Sequence, residues 1–141
     1  MYSETQVKAA NKSHFNKISI NNYEKNEAIF SKIRQEKISV ILKEIVSSGG
    51  NGVFLDLGCG TGNILRLARP LFRTSIGIDI AADLLARIKK DDKSFLLAGA
   101  DGEKLPFRDD AFDCVSAYAV LHHIVEPHTL LREASRVLKR G

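Results

Sequence analysis

The segment Val53-Phe54-Leu55-Asp56-Leu57-Gly58-Cys59-Gly60-Thr61-Gly62-Asn63 decides the fold of this 141-residue chain. It begins with a short apolar run, which predicts a buried β-strand. Glycine then takes every second position, and apolar residues at helical spacing follow: Ile64, Leu65, Leu67, Ala68 and Leu71. Strand, glycine turn and helix in this order are typical of an open α/β sheet, which binds ligands at the carboxyl ends of its strands. Because glycine lacks Cβ, the turn can lie directly against a ligand, and the amides that open the next helix can face an anionic group.

The glycine spacing does not match two common phosphate-binding loops. A P-loop ends in Gly-Lys-Ser/Thr, whereas this turn continues into Asn63-Ile64. The dinucleotide fingerprint requires glycine at position 63. What remains is G-x-G-x-G with Asp56 two positions before the first glycine, and this segment resembles the first motif of the class I S-adenosylmethionine-dependent methyltransferases. Taken alone, the motif leaves open a plain strand-to-helix turn in another α/β protein.

Composition indicates one ordinary globular domain, since 44% of the residues are hydrophobic and 27% are charged. The net charge is +4, but the basic residues are spread along the chain, so nucleic acid is not the expected partner. No apolar run is long enough to span a membrane, and the amino terminus lacks the apolar core of a signal peptide. Cys59 and Cys114 form no C-x-x-C motif, which favours a reducing, cytoplasmic location.

Residues 1–26 are polar and are expected to form an amino-terminal arm with irregular structure or short helices. Within this arm, Phe15-Asn16-Lys17-Ile18 and Tyr23-Glu24 resemble the segment that many small-molecule methyltransferases fold over the cofactor. The resemblance makes Tyr23 a candidate lid contact, although glutamate stands at position 24 where the family usually has aspartate. A loosely packed arm is the alternative.

Residues 27–141 are expected to form the cofactor-binding domain. Its first element is a predicted helix from about Glu27 to Ser47, with isoleucine and leucine at spacings of three to five residues. The segment Ser47-Ser48-Gly49-Gly50-Asn51-Gly52 ends this helix and turns the chain into the first strand.

A second strand is predicted over residues 73–80, and Asp79 stands at its end, 23 residues after Asp56. In nucleoside-binding crevices of this type, an acid at this position accepts hydrogen bonds from the ribose hydroxyls. The alternative role for Asp79 is to cap the helix that follows it.

A third strand, residues 94–100, is followed by Asp101-Gly102-Glu103-Lys104-Leu105-Pro106-Phe107. This segment resembles the methyltransferase signature of an acid and a small residue, then an acid and Leu-Pro-Phe. The resemblance implies that Asp101 accepts a hydrogen bond from the adenine amino group and that the Gly102 amide meets the ring. A charged surface turn is the alternative, because Asp-Gly is a turn dipeptide in any protein.

Residues 109–118 are predicted as the fourth strand and resemble the Asp-x-x-Phe-Asp-x-Val segment of the family. The following Val120-Leu121-His122-His123-Ile124 resembles the helix start of many small-molecule members, and Pro127 opens a further helix. By the resemblance, the glycine turn holds the methionine part of S-adenosylmethionine, Asp79 the ribose and Asp101 the adenine. The implied cofactor-binding residues are Tyr23, Asp56, Gly58, Cys59, Gly60, Thr61, Gly62, Asp79, Ile80, Asp101, Gly102 and Ala117.

The histidines do not predict a metal site. His122 and His123 are adjacent and cannot both face one ion easily on a helix, and no H-E-x-x-H or cysteine pair completes a tetrahedral set. By resemblance only, His123 is the candidate base for a substrate hydroxyl or amine, and a merely structural histidine is the alternative. Cys59 needs only to be small and apolar within the turn, so it is assigned no nucleophilic role.

Together these features predict a Rossmann-like parallel α/β sheet in the order 3-2-1-4, with the carboxyl-terminal strands of the family fold missing. The fourth strand would then be an unpaired apolar edge that another chain or domain could cover. The expected function is methyl transfer from S-adenosylmethionine to an oxygen, nitrogen or carbon of a small molecule. The alternatives are a noncatalytic nucleoside-binding or interaction module and a nicotinamide-dependent oxidoreductase, against which Asn63 counts.

Overall fold

The computed structural model describes residues 3–17 and 31–140. Within them two leading helices are followed by strands and helices that alternate as far as the third strand, after which the fourth strand follows through a loop. In chain order the elements are α1 (Glu4–Lys17), α2 (Lys32–Ser47), β1 (Val53–Leu57), α3 (Asn63–Ala68), β2 (Thr74–Asp79), α4 (Ala82–Asp91), β3 (Leu96–Gly99), β4 (Cys114–Ser116), a 3-10 turn (Leu121–His123) and α5 (Pro127–Val137).

The four strands form one parallel sheet in the order β3-β2-β1-β4, which confirms the predicted order. Leu55, in the middle of β1, lies opposite Ile76 of β2 on one side and Val115 of β4 on the other. The strand order therefore reverses at β1, and in open α/β sheets ligands bind at such a switch point. Because the glycine turn follows β1 directly, it stands at this point.

Apolar side chains of β1 alternate between two layers, with Phe54 in one and Leu55 and Leu57 in the other. Helices α2, α3 and α4 pack on the first layer, and α5 packs on the second. Since both faces of the sheet are covered, its strands contain nearly continuous apolar runs.

Helix α2 begins later than the sequence predicted. Ser31 has non-helical backbone angles (φ −59°, ψ 135°), and its hydroxyl accepts a hydrogen bond from the Arg34 amide at 3.4 Å. This is the N-cap arrangement, in which a side-chain oxygen satisfies an amide of the first turn. The predicted start at Glu27 lies outside the described residues, as do residues 28–30.

Within residues 3–17, the amino-terminal arm forms a fourteen-residue helix, α1, where irregular structure or short helices were expected. Its start is a capping box: the Ser3 amide donates to Gln6 Oε1 at 2.8 Å, and the Gln6 amide donates to Ser3 Oγ at 3.3 Å. None of the helix residues is buried. The apolar periodicity used to predict the other helices is therefore weak here, and the cap is the local signal that could have identified α1.

Strand β4 is shorter than its predicted span of residues 109–118. Asp110 has a positive φ of 53°, which turns the chain before the strand. The Ala111 and Phe112 amides then donate to the Val137 carbonyl at the end of α5. Asp113 Oδ2 accepts the Val53 amide at 2.7 Å, so β4 starts where β1 starts.

The outer edge of the predicted fourth strand, residues 109–118, is not wholly unpaired, which corrects the prediction. Phe112 and Leu138 form a parallel bridge, and the Lys139 amide donates to the Phe112 carbonyl at 2.9 Å. Within residues 3–17 and 31–140, however, the only strand that pairs with Cys114–Ser116 is β1. The same described ranges include no helix that is both long and apolar enough to cross a bilayer.

Candidate cofactor site

The glycine turn is fixed to the end of β2 by two backbone amides. The Cys59 amide donates to the Ile78 carbonyl, and the Gly60 amide donates to Asp79 Oδ2, both at 2.9 Å. Gly58, Gly60 and Gly62 have φ angles of +64°, +52° and +82°, a region that side chains with Cβ rarely occupy. The three glycines therefore allow the turn after β1 to contact the carboxyl end of β2.

Gly58 is required for a second reason, which is space. A Cβ atom at this position would lie 2.4 Å from Val120 Cγ2, in the segment that follows β4. The turn after β1 thus approaches the segment after β4 more closely than any side chain would permit.

Asp79 is buried, and each of its carboxylate oxygens accepts one backbone amide: Oδ1 that of Ala81 at 2.8 Å and Oδ2 that of Gly60. Burial raises the pKa of Asp79, while the amides of Ala81, Gly60 and Ile80 act in the opposite direction. The Ala81 contact is an Asx turn that precedes α4; the N-cap of that helix is Ala81 itself, which has no side-chain cap hydrogen bond. Each oxygen keeps a second lone pair, so this contact leaves acceptor capacity for a ligand.

Asp56 lies on β1 and is almost fully buried. Burial raises the pKa of this carboxyl to about 7, although the Ser116 hydroxyl, which donates to Asp56 Oδ1 at 2.6 Å, opposes the change. The negative charge of Asp79 raises it further. Ser116 was not among the predicted site residues, because only the β1–β4 register brings it opposite Asp56.

Asp101 follows β3, and both of its oxygens have partners. Oδ1 accepts the Glu103 amide at 2.9 Å, which is the Asx turn expected of an Asp-Gly sequence. Oδ2 accepts a hydrogen bond from Lys8 Nζ of α1 at 2.7 Å. At Gly102, a Cβ atom would lie 2.9 Å from Leu130 Cδ1, so α5 packs closely against this turn.

One cleft brings most of the predicted residues together. It encloses about 740 Å³, counted with its open mouth. Its lining includes seven residues predicted from sequence: Gly58, Gly60, Asp79, Ile80, Asp101, Gly102 and His123. Four segments that are distant in sequence thus face one cavity.

The other predicted residues lie elsewhere. A second cavity of about 350 Å³ shares Gly58 and Gly60 with the cleft and is lined by Asp56, Cys59 and Thr61 among others. Gly62 lines neither cavity and caps α3 instead. Ala117 lines neither cavity; it faces a groove between α2 and β4. Tyr23 lies outside the described residues.

Sequence reasoning missed several residues that line the cleft. Lys8, Asn11 and Phe15 come from α1 and follow the spacing of one helical face. Ala119, which lines both cavities, has a positive φ of 55°, and strained residues of this kind cluster at functional sites. Glu103, whose side chain is 5% exposed, lines the cleft beside Asp101.

His123 stands on the 3-10 turn and lines the cleft. Its ring meets Phe15 edge-on with 4.9 Å between ring centroids, and its carbonyl accepts a hydrogen bond from Asn11 Nδ2 at 2.8 Å. The ring is near enough to Asp79 for its positive charge to lower the pKa of that carboxyl. His123 is thus the titratable ring of the cleft beside the buried acid of β2.

The Cys59 thiol is free and buried within the glycine turn. Burial raises the pKa of the Cys59 thiol well above its ordinary value, so this thiol is a poor nucleophile. In the described part of the chain, no group of three or more His, Cys, Asp or Glu side chains is arranged to hold a metal ion.

The donor set of the cleft suits a cationic nucleoside. Three carboxylates and one ammonium line it (Asp79, Asp101, Glu103 and Lys8), together with apolar side chains such as Ile80, Leu84 and Leu130. Carboxylates accept hydrogen bonds from hydroxyl and amino groups, and an acidic cleft favours a positively charged ligand. S-Adenosylmethionine combines ribose hydroxyls, an adenine amino group and a sulfonium, and these residues therefore fit it.

Known proteins share both the sequence and the fold. Residues 55–141, more than half of the chain, match the family model described as "Methyltransferase domain". The uncharacterized protein MJ1123 of Methanocaldococcus jannaschii is 34% identical over 119 residues, which cover 84% of this chain and 51% of that protein. The chain thus spans about half the length of this relative.

Relatives with named acceptors differ among themselves. The 27-O-demethylrifamycin SV methyltransferase of Amycolatopsis mediterranei is 35% identical over 62% of this chain and 35% of its own length. The tRNA (carboxymethyluridine(34)-5-O)-methyltransferase of Arabidopsis thaliana is 32% identical over 79% of this chain and 28% of its own.

Among solved structures, that of S-adenosylmethionine-bound CalS10, an amino pentose methyltransferase from Micromonospora echinaspora, superposes with a TM-score of 0.74. The match covers 88% of this chain and 54% of CalS10 at 20% identity, a likeness of fold. The family model places this chain in the family of S-adenosylmethionine-dependent methyltransferases, and the CalS10 match agrees with it in fold.

Proposed function

We propose that this chain is the cofactor-binding half of an enzyme that transfers a methyl group from S-adenosylmethionine to a small molecule. The observation that carries the proposal is the convergence of Gly58, Asp79 and Asp101, from three separate strand ends, on one cleft. A purely apolar ligand would not need two separated carboxylates along its length.

Each part of the site has a proposed role. The glycine turn and Asp56 face the amino-acid end of the cofactor, where a carboxylate pairs with the ligand's ammonium. Asp79 offers the second lone pairs of its two oxygens to the ribose hydroxyls, and Ile80 borders the sugar. Asp101 accepts the adenine amino group, and the Gly102 amide meets the ring. Tyr23 remains a predicted lid contact, whereas the position of Ala117 in the groove beside α2 gives it no such support.

When bound, the cofactor supplies an electrophilic methyl group on its sulfonium. The protein's own contribution is alignment and exclusion of water, since a methyl transfer needs donor, methyl and acceptor in line. His123 lines the cleft beside Asp79 and is the proposed base that takes the proton from an acceptor hydroxyl or amine.

A small-molecule acceptor is supported by the Val-Leu-His-His-Ile segment and by the rifamycin-modifying relative. The relative that is named as a tRNA methyltransferase makes RNA the competing class. The net charge of +4 is modest and spread over the chain, which favours the small molecule.

The edge beyond β4 is proposed to be covered by further strands, from the same protein or from a partner chain. Leu138 already begins a parallel pairing with Phe112. Beside it, the groove between α2 and β4 is largely apolar, and Ile41 of this groove is 55% exposed. A cytoplasmic location remains a proposal that rests on the two cysteines, both of which are free and buried.

Calorimetric titration tests the cofactor assignment. S-Adenosylmethionine and S-adenosylhomocysteine should bind the chain, while NADH and NADPH should give no heat above dilution. Preference for a nicotinamide cofactor would overturn the proposal. Transfer of labelled methyl groups by a longer chain, offered a metabolite extract and total tRNA in separate reactions, distinguishes the two acceptor classes. If cofactor binds but neither mixture is methylated, the noncatalytic module is favoured.

A further inference from the structure

Helix α1 is held to the rest of the protein by side-chain contacts to two loops and to the first turn of α4. Lys8 reaches the turn after β3, Asn11 and Phe15 reach the 3-10 turn after β4, and Asn16 Oδ1 accepts the Asp83 amide of α4 at 3.3 Å. No residue of the helix is buried. A helix attached in this way can separate from the core without unfolding it.

Lys8 makes the most extensive of these contacts. Its ammonium lies 2.6 Å from Glu4 Oε1, 2.7 Å from Asp101 Oδ2 and 2.5 Å from Glu103 Oε2. Three carboxylates thus surround one ammonium group, which carries three N–H donors. We call these four residues the Lys8 cluster.

The burial of Glu103 makes its contact with Lys8 energetically important. Its side chain is 5% exposed, and its Oε1 accepts the Glu126 amide at 3.0 Å. Among the residues that the structure describes, Lys8 is the cation paired with Oε2. A buried carboxylate that loses its cationic partner is strongly disfavoured, so Glu103 holds Lys8 in place.

The Lys8 side chain is held in its protonated, positively charged form. Burial lowers the pKa of Lys8, but the hydrogen bonds to Asp101, Glu103 and Glu4 outweigh burial and raise the pKa above its ordinary value. The contact therefore persists at every pH at which the carboxylates are ionised.

Three residues of the cluster, Lys8, Asp101 and Glu103, line the cofactor cleft. Asn11 and Phe15 of α1 line it as well, whereas Thr5 and Lys12 of the same helix are exposed. One helix thus separates this part of the cleft from solvent. Asp101 Oδ2 receives Lys8 but keeps a second lone pair, so Lys8 and a ligand amino group can bind Asp101 together.

We propose that Lys8 is a positioning residue for the cofactor: by bridging Asp101 and Glu103 it holds α1 closed over the adenine end of the cleft and orients the Asp101 carboxylate toward the ligand. This inference rests on the proposed assignment of Asp101 to adenine. The closed helix must open for the cofactor to enter or leave. Removing the ammonium therefore speeds both association and dissociation, and dissociation more, because the orientation of Asp101 is lost as well.

The test compares Lys8→Met with Lys12→Met, which makes the same substitution at an exposed position of α1 that does not line the cleft. Surface plasmon resonance with S-adenosylhomocysteine measures both rate constants. We expect Lys8→Met to raise the dissociation rate about 30-fold and the association rate about threefold, a weakening of about tenfold that is typical of a lost charge-assisted hydrogen bond. Lys12→Met should match the wild type.

Glu103→Gln provides a second route to the same change. It should shift both rates in the same direction, and the double variant should be no worse than Lys8→Met alone, since one contact is removed only once. Circular dichroism checks that each variant is folded. A slower association rate in Lys8→Met, or rates equal to those of Lys12→Met, would overturn the proposal.

Hydrogen exchange separates this inference from the proposed function. In the ligand-free protein, the amides of residues 8–17 should exchange faster in Lys8→Met than in Lys12→Met, while those of β1 should not change. Equal exchange in both variants would overturn the positioning role even if the chain failed to bind S-adenosylhomocysteine. Failure of that binding in the wild type would instead count against the cofactor assignment.

Discussion

The two sides of the cleft are built in contrasting ways. The glycine turn is held by backbone amides that donate to the Ile78 carbonyl and the Asp79 carboxylate, between two strands whose apolar residues are buried. Helix α1 is held by the side chains of Lys8, Asn11 and Phe15 and buries no residue of its own. One wall of the cleft is therefore part of the fold, and the other is attached to it. Substitutions in the first wall should cost stability and binding together, and those in the second should affect binding with little loss of stability.

The largest effect is expected from Gly58→Ala. The new methyl group meets Val120 Cγ2 at 2.4 Å, and the positive φ of +64° adds backbone strain. Together these should lower the free energy of unfolding by about 2–5 kcal/mol and abolish detectable cofactor binding. Urea denaturation and calorimetry measure the two quantities.

Gly99→Ala is the matched control, because a Cβ atom at Gly99 meets nothing within 4 Å and no positive φ is present. It should change the free energy of unfolding by about 0.5 kcal/mol or less. The double variant Gly58→Ala/Val120→Ala should recover the steric part of the loss while leaving the backbone strain. Equal stability of Gly58→Ala and Gly99→Ala would show that the turn is not a rigid wall.

Asp79→Asn should have the next largest effect. The asparagine amide group must point its NH₂ at one of two backbone donors, the Gly60 or the Ala81 amide. Leaving one of them unpaired should cost about 1–3 kcal/mol of stability, and S-adenosylhomocysteine should bind about 30-fold more weakly or worse. Thermal denaturation and calorimetry detect these changes. Wild-type affinity in the folded variant would remove Asp79 from the proposed ribose contact.

Much of the cleft wall that the glycine turn forms was predictable from sequence, because the sequence patterns that specify it are local. The apolar run before Gly58, the alternating glycines and the acid at the end of β2 each follow from the conformation or burial that their own segment requires. Strand order also followed, since consecutive strands in such sheets are neighbours until the switch point.

What could not be predicted depends on register and on contacts between distant segments. Ser116 reaches Asp56 only because β1 and β4 pair in one register. Lys8 and Asp101 are 93 positions apart, and nothing in either segment indicates that they meet. The short β4 has a similar cause, because the amides of residues 110–112 pair with the end of α5 instead of extending the strand.

A third prediction concerns the pH dependence of cofactor affinity, which we assign to Asp56 on the glycine-turn side of the cleft. Since the pKa of Asp56 is raised to about 7, this carboxyl is mostly protonated at pH 6 and mostly ionised at pH 7.5. If the ionised form pairs with the cofactor's ammonium, binding below pH 7 requires loss of a proton, so affinity should rise about tenfold from pH 6 to pH 7.5. Calorimetry across this range measures the slope.

Asp56→Asn should flatten that slope, because an amide does not titrate. Asp92→Asn is the control: the Ser94 hydroxyl and amide hold the pKa of Asp92 below its usual range, so this carboxylate stays ionised throughout. Asp92→Asn should therefore retain the wild-type dependence of cofactor affinity on pH. A slope that persists in Asp56→Asn would assign the pH dependence to another group.

The smallest effect is expected on the attached wall, from Asn11→Ala. This change removes the hydrogen bond from Asn11 Nδ2 to the His123 carbonyl but leaves the Lys8 cluster intact. Because the Lys8 cluster is retained and α1 buries no residue, the melting temperature should fall by no more than about 1–2 °C. Exchange of the amides of residues 8–17 should accelerate about fivefold, as expected for one lost hydrogen bond of about 1 kcal/mol. A melting temperature lowered as far as in Gly58→Ala would mean that α1 and the sheet unfold as one unit, and the two walls would then not differ in kind.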